Sequence, residues 1–218
     1  MQFIQVDTRN DNESTPPGTF RKERLYDNNI SHYAIEYLLD GDATRDKLSH
    51  ALKERPNWML TCCSHGEYDE ILGYNNNELL QVPEKFYNGE LERVIHLKCC
   101  YAAEQLGPYL VAQGCWAFFG YNIQFGFPSS SENSHLQGYF FEPDLKLVEV
   151  LAEGATAKSA HAALMDCYVQ MEDELLKLGN PGNYIGVLNY NKKHFCSPST
   201  DKSFGEESAT IDNPGYPA

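Results

Sequence analysis

Hydrophobic and polar positions follow two rhythms along this chain. Two apolar runs stop abruptly at reactive side chains: Trp58-Met59-Leu60-Thr61-Cys62-Cys63-Ser64-His65-Gly66 and Val94-Ile95-His96-Leu97-Lys98-Cys99-Cys100-Tyr101. Short apolar runs with β-branched or aromatic members predict buried strands of a parallel sheet. Residues 57–63, 93–99 and 115–121 are such strands, with Trp116, Phe118 and Phe119 as core. Residues 2–7 alternate and predict a first strand. Residues 184–190 read as a last one, paired back with His194-Phe195-Cys196.

Between these runs the period changes to a helical one. Ser31 heads a predicted helix ending at Leu39. Asp42-Ala43-Thr44 starts another, with Leu48, Ala51 and Leu52 on one face and Pro56 past its end. Residues 102–113 predict a helix with Leu106, Tyr109 and Leu110 inward, stopped by Gly114. Helices over 143–152 and 156–178 follow, the second capped by Thr156. Residues 67–92, with Gly73 and Asn75-Asn76-Asn77, predict an excursion above the sheet edge that contains a hairpin. Residues 122–137 predict a loop at the same edge. Residues 8–31, around Pro16-Pro17-Gly18, predict a long polar loop suited to a regulatory or substrate-covering role. Everything after about Ser197 predicts a disordered tail. Strands alternating with helices imply one α/β domain over residues 1–196, with a mostly parallel sheet flanked by helices.

Composition narrows the function classes. The 218 residues carry a formal net charge of -14, which leaves no basic surface to neutralise a nucleic-acid backbone. No run approaches the ~20 apolar residues of a membrane span. The first residues lack a basic leader and an apolar signal core, so a cytoplasmic protein is expected. Seven cysteines, an odd number with two adjacent pairs, favour reduced thiols over a disulfide framework.

The two apolar runs end where α/β sheets place their sites, at the carboxyl edge. His65 and Cys100 delivered there from neighbouring strands make a base and a nucleophile. A helix opening near Ala102 would favour the Cys100 thiolate through its N-terminal partial charge. Gly66 lets backbone approach a substrate closely, and its N–H with that of Cys100 would stabilise an oxyanion. The chemistry is acyl transfer, most simply peptide hydrolysis, and needs no cofactor. His96 alternates inside its strand and reads as a core histidine; Cys62, Cys63 and Cys99 read as core thiols. A zinc site built from Cys62, Cys63, His65, Cys99 and Cys100 is the alternative from another class. Adjacent strand residues point to opposite faces, however, and no Cys-x-x-Cys spacing is present.

Cys63-Ser64-His65-Gly66-Glu67 followed by Ile71-Leu72-Gly73 resembles the Ser-His-Gly-Glu-Glu-Gly segment of caspases. Lys98-Cys99-Cys100-Tyr101-Ala102 stands where caspases have Gln-Ala-Cys-Arg-Gly. Residues 97–121, with Cys99-Cys100, Leu106-Gly107 and Gly120-Tyr121, are similar to the caspase-like peptidases of the CHAT and gingipain type. So is Leu151-Ala152-Glu153-Gly154-Ala155-Thr156 with Ala160 and Tyr168. The resemblance covers roughly residues 57–190. It implies a caspase-like three-layer sandwich and a cysteine endopeptidase with His65 as general base and Cys100 as nucleophile. Gly66 and Cys100 would supply the oxyanion donors, and alignment to Ala-Cys selects Cys100 over Cys99.

The resemblance also places Lys98 in the primary substrate pocket, where it would welcome an acidic or polar side chain. Glu67 and Asp69, just after His65, would instead bind a cation, so no preferred residue is assigned. Tyr121 and Asn122 are expected to border the site, and residues 129–131 to touch substrate. The partners implied are a protein or peptide substrate and an activating or inhibitory protein. A catalytically inactive scaffold of the same fold is the remaining alternative.

Overall fold

The computed structural model describes residues 2–9, 11, 14–27, 34–83, 86 and 89–213. Six strands form the main sheet in the order β2-β1-β3-β6-β7-β8. They are β1 (Gln2–Asp7), β2 (Ala34–Leu39), β3 (Met59–Cys63), β6 (Val94–Lys98), β7 (Ala117–Tyr121) and β8 (Phe195–Cys196). All neighbours run parallel except β8, which pairs antiparallel with β7. The expected α/β architecture with a mostly parallel, helix-flanked sheet is therefore present.

Every residue of β3, β6 and β7 is buried, as parallel strands covered on both faces must be. Alternation sorts them into two cores. Ile4, Leu60, Cys62, Ile95, Leu97, Cys99 and Phe118 join the core that holds Leu48, Ala51 and Leu52 of α2 (Arg45–Glu54) and Leu106 and Leu110 of α3 (Leu106–Ala112). Phe3, Met59, Val94, Phe119 and Tyr121 face the other core, built by α4 (Gly138–Ala152) and α5 (Ala157–Lys177). The predicted face of α2 and the Thr156 cap are as expected, Thr156 accepting from Ser159 N–H; of the start expected over Asp42-Ala43-Thr44, Thr44 is the cap and accepts from Lys47 N–H. The excursion contains the hairpin of β4 (Glu70–Leu72) and β5 (Glu78–Gln81).

Several expectations fail for identifiable reasons. Residues 34–39 form β2 rather than a helix, because pairing with β1 over the whole of Gln2–Asp7 supplies the hydrogen bonds. Ser31, the expected cap, lies outside the described residues. Within residues 8–31, Thr15–Arg21 is helix α1, continued by a π-helical turn over Lys22–Asp27. Pro16 and Pro17 sit in its first turn, where a missing N–H costs nothing, and Pro17, Gly18, Arg21 and Leu25 are buried.

Residues 184–190 belong to α6 (Tyr184–Lys193), not a strand. Leu188 and Asn191, three apart, are its buried residues, and α6 packs on α5. Helix α3 starts at Leu106 rather than Ala102, and α4 starts at Gly138, five residues before Pro143. Of the expected disordered tail, residues 197–213 are folded, with Phe204, Ala209 and Ile211 buried and Gly205 bridged to Ala117 beside the sheet, and residues 214–218 lie outside the described residues. Among the described residues, no helix is long and apolar enough to cross a membrane.

Candidate active site

In the β3–β6 ladder Cys63 lies opposite Lys98. His65 and Cys100 each stand two residues past those positions, so register alone brings them level beyond the carboxyl edge. A Cβ added to Gly66 would lie 2.5 Å from the Cys100 carbonyl oxygen, 2.8 Å from Cys99 Cβ and 3.3 Å from the Cys100 nitrogen. The His-Gly segment thus rests directly on the cysteine's backbone, and only a residue without a side chain permits that approach. On the other side Tyr101 N–H donates to the Ile123 carbonyl at 2.9 Å, and Ala103 N–H to Tyr121 at 3.0 Å.

Tyr101, the residue after Cys100, has φ of 56°. A non-glycine residue held there costs on the order of 1–3 kcal/mol, and such strain collects where a turn is fixed by its surroundings. The Tyr101 ring packs on Tyr68, centroids 4.7 Å apart.

His65 and Cys100 line one cleft of about 450 Å³ together with Ser14, Pro17, Lys98, Tyr101, the stretch 124–127, Ser129 and Tyr190. Cys100 is partly exposed and Cys99 is buried, facing the opposite core with its thiol pushed well up by burial. Strand alternation therefore sends Cys100, and not Cys99, into the cleft. Cys63 also reaches the lining, but burial raises its thiol far above the ordinary range. Because α3 begins at Leu106, its N-terminus does not stand at Cys100, and the dipole assistance expected from that helix is absent.

The cleft floor is electrostatic. The Lys98 ammonium is buried, ion-paired to Asp144 of α4, donates to the Phe140 carbonyl at 3.3 Å and lies 3.9 Å from the Phe125 ring centroid. Asp144 also accepts from the Tyr121 hydroxyl at 3.1 Å and stands 3.0 Å from His96 Nε2. Burial pushes its carboxyl up, but Lys98 and His96 outweigh that and hold it at about 2. His96 is fully buried between Asp144 and Thr61, and burial lowers its pKa, so it is the core histidine expected. The network continues from Thr61 to Arg21 of α1, which pairs with Asp7 at 3.1 Å.

Other expected site residues fall elsewhere. Tyr121 is fully buried and bonds Asp144 and Tyr168, so it supports the floor from behind rather than bordering substrate. Asn122 bonds His194 at 3.1 Å, outside the cleft. Glu67 and Asp69 are exposed on the excursion and do not line it. Of residues 129–131, Ser129 does.

The sequence reading missed Asp11, whose Oδ2 lies 2.6 Å from His65 Nε2, and Asn191, whose side chain bonds both the N–H and the carbonyl of Gly126 in the cleft wall. Asp11 carries no local signal, because it is neither the cap nor in the first turn of α1 and its partner stands 54 residues away. Among the described residues, no group of three or more His, Cys, Asp or Glu side chains is placed to hold a metal ion. Comparison with protein-family models gives no match, and no curated protein is similar enough to count as a relative.

Proposed function

We propose that this chain is a caspase-like cysteine endopeptidase with Cys100 as nucleophile and His65 as its acid–base partner. The observation carrying the reading is the seating of Gly66 on the Cys100 backbone, with His65 and Cys100 opening into one cleft. His65 takes the Cys100 thiol proton, the thiolate attacks the scissile carbonyl carbon, and the N–H groups of Gly66 and Cys100 receive the developing oxyanion. The C–N bond breaks as His65 protonates the leaving amine. A thioester to Cys100 remains. Water then attacks it with His65 taking the proton, and the acid leaves as the thiol is restored.

Lys98 at the floor disfavours a basic side chain in the pocket. Its charge is already shared with Asp144, so a neutral polar side chain fits as well as an acidic one. The natural substrate is a protein or peptide, and a partner protein restrains the activity. A peptidyl electrophile tests the reading: mass spectrometry should place the adduct on Cys100, and proteome-wide cleavage by wild type should vanish in Cys100→Ala. Identical cleavage by the two, or an adduct on Cys63 or Cys99 alone, overturns it. If neither labelling nor cleavage occurs, the cleft belongs to a binding module.

A further inference from the structure

We infer that Asp11 is the positioning residue of the site: its carboxylate fixes the proton on His65 Nε2 and so makes Nδ1 the nitrogen that serves Cys100. This deepens, and rests on, the hydrolytic reading of the cleft.

The geometry is direct. Asp11 Oδ2 is 2.6 Å from His65 Nε2, with the two side chains 41% and 26% exposed. The other oxygen, Oδ1, accepts from the Ser14 N–H at 2.9 Å and from the Ser14 hydroxyl at 3.1 Å. An ionised carboxylate only accepts hydrogen bonds. Nε2 must therefore carry the hydrogen, and in the neutral ring the lone pair is left on Nδ1. The imidazole lies in the same cleft as Cys100, while Ser14 and Pro17 of α1's segment form part of its lining. The segment expected to cover substrate thus completes the site, and Arg21, buried against Asp7 and Thr61, anchors it.

Ser14 gives the idea a sharp test. Its backbone N–H can only donate, so in Asp11→Asn the amide oxygen stays at the Oδ1 position. The amide NH2 then takes the Oδ2 position and faces Nε2. A nitrogen facing a donor must accept, so the neutral ring moves its hydrogen to Nδ1. Asp11→Asn should reverse the tautomer with almost no change in shape. Asp11→Ala removes the partner and leaves the ring free to exchange.

The experiment is ¹⁵N NMR of the imidazole nitrogens in the full chain, with His65→Gln used to assign the His65 signals. Peptide turnover on the same samples accompanies it. Wild type should show the Nε2–H form, Asp11→Asn the Nδ1–H form and Asp11→Ala a mixture. Turnover in Asp11→Asn should fall on the order of 10- to 100-fold in kcat with KM little changed, at or below the low end of what positioned proton transfer contributes, because both groups are partly open to water. An Nδ1–H wild type, or Asp11→Asn with an unchanged tautomer, overturns the proposal, as does a reversed tautomer with undiminished kcat. If wild type cleaves no peptide and takes no electrophile, the hydrolase reading falls by itself. The tautomer then still decides whether Asp11 sets the ring.

Discussion

Gly66→Ala is the most informative single substitution, because its consequence follows from distances alone. The added methyl would sit 2.5 Å from the Cys100 carbonyl oxygen and 2.8 Å from Cys99 Cβ, where ordinary contact begins at 3.4 Å. Two of the three neighbours are backbone atoms of the Cys100 turn, and Cys99 is packed in the core, so none can swing aside as a flexible chain end would. The segments must part by about 1 Å. Overpacking of this kind costs about 1–3 kcal/mol, which lowers the melting temperature by a few degrees for a domain of this size. A 1 Å misplacement in a reacting pair costs on the order of 100-fold in rate. Electrophile capture at Cys100 should therefore slow far more than the small loss of stability explains. Melting and capture kinetics are measured on the same preparation. Wild-type capture and an unchanged melting curve would refute the contact between the two segments, and with it the proposed site.

Two further outcomes follow from the floor and the tail. Lys98→Met leaves the Asp144 carboxylate buried with only hydrogen-bond donors, a loss of about 3–5 kcal/mol in thermal or urea unfolding. In wild type Asp144 titrates at about 2, below its ordinary 3.8. The unfolded chain then binds the extra proton in that window, and its stabilising effect disappears as pH falls through it. In Lys98→Met burial pushes the Asp144 carboxyl up, so the folded chain binds the extra proton and the variant should regain stability as pH falls, where wild type loses it; an identical pH profile would refute the pairing. Ending the chain at Ser197 removes the buried Phe204, Ala209 and Ile211, worth about 3–6 kcal/mol at typical burial energies. A truncated chain that melts as the full one does would show the tail to be dispensable.

What the sequence disclosed was governed by how local each signal is. The strands β3, β6 and β7 and the helices α2 and α5 were legible because period, caps and stops agreed over each segment. The level placement of His65 and Cys100 followed from strands of matching length ending at matching chemistry. What stayed hidden was set by partners distant in sequence. β2 carries helix-favouring Ala, Glu and Leu, yet pairing with β1 decides its state. Residues 184–190 carry strand-favouring Tyr, Ile and Val, yet packing of Leu188 and Asn191 makes them helical. Asp11 acquires meaning only once α1 docks, because 54 residues separate it from His65.

The polar ladder beneath the cleft explains why these strands read as plain hydrophobic runs while holding charge. Gln5 and Asp7 on β1, Thr61 and Cys63 on β3, and His96 and Lys98 on β6 alternate onto one face, in register across three strands. Thr, Cys and His barely interrupt an apolar pattern, so the ladder is inconspicuous along any one strand. It closes only with Arg21 from α1 and Asp144 from α4, two charges on helices far apart in sequence that pack against each other through Phe20 and Phe141. A hydrocarbon face would be at least as stable, since a buried ion pair seldom repays the desolvation of both partners. The ladder does one thing hydrocarbon cannot. It holds a fixed, half-neutralised ammonium in the cleft that Cys100 lines, at a position that bulk solvent barely screens.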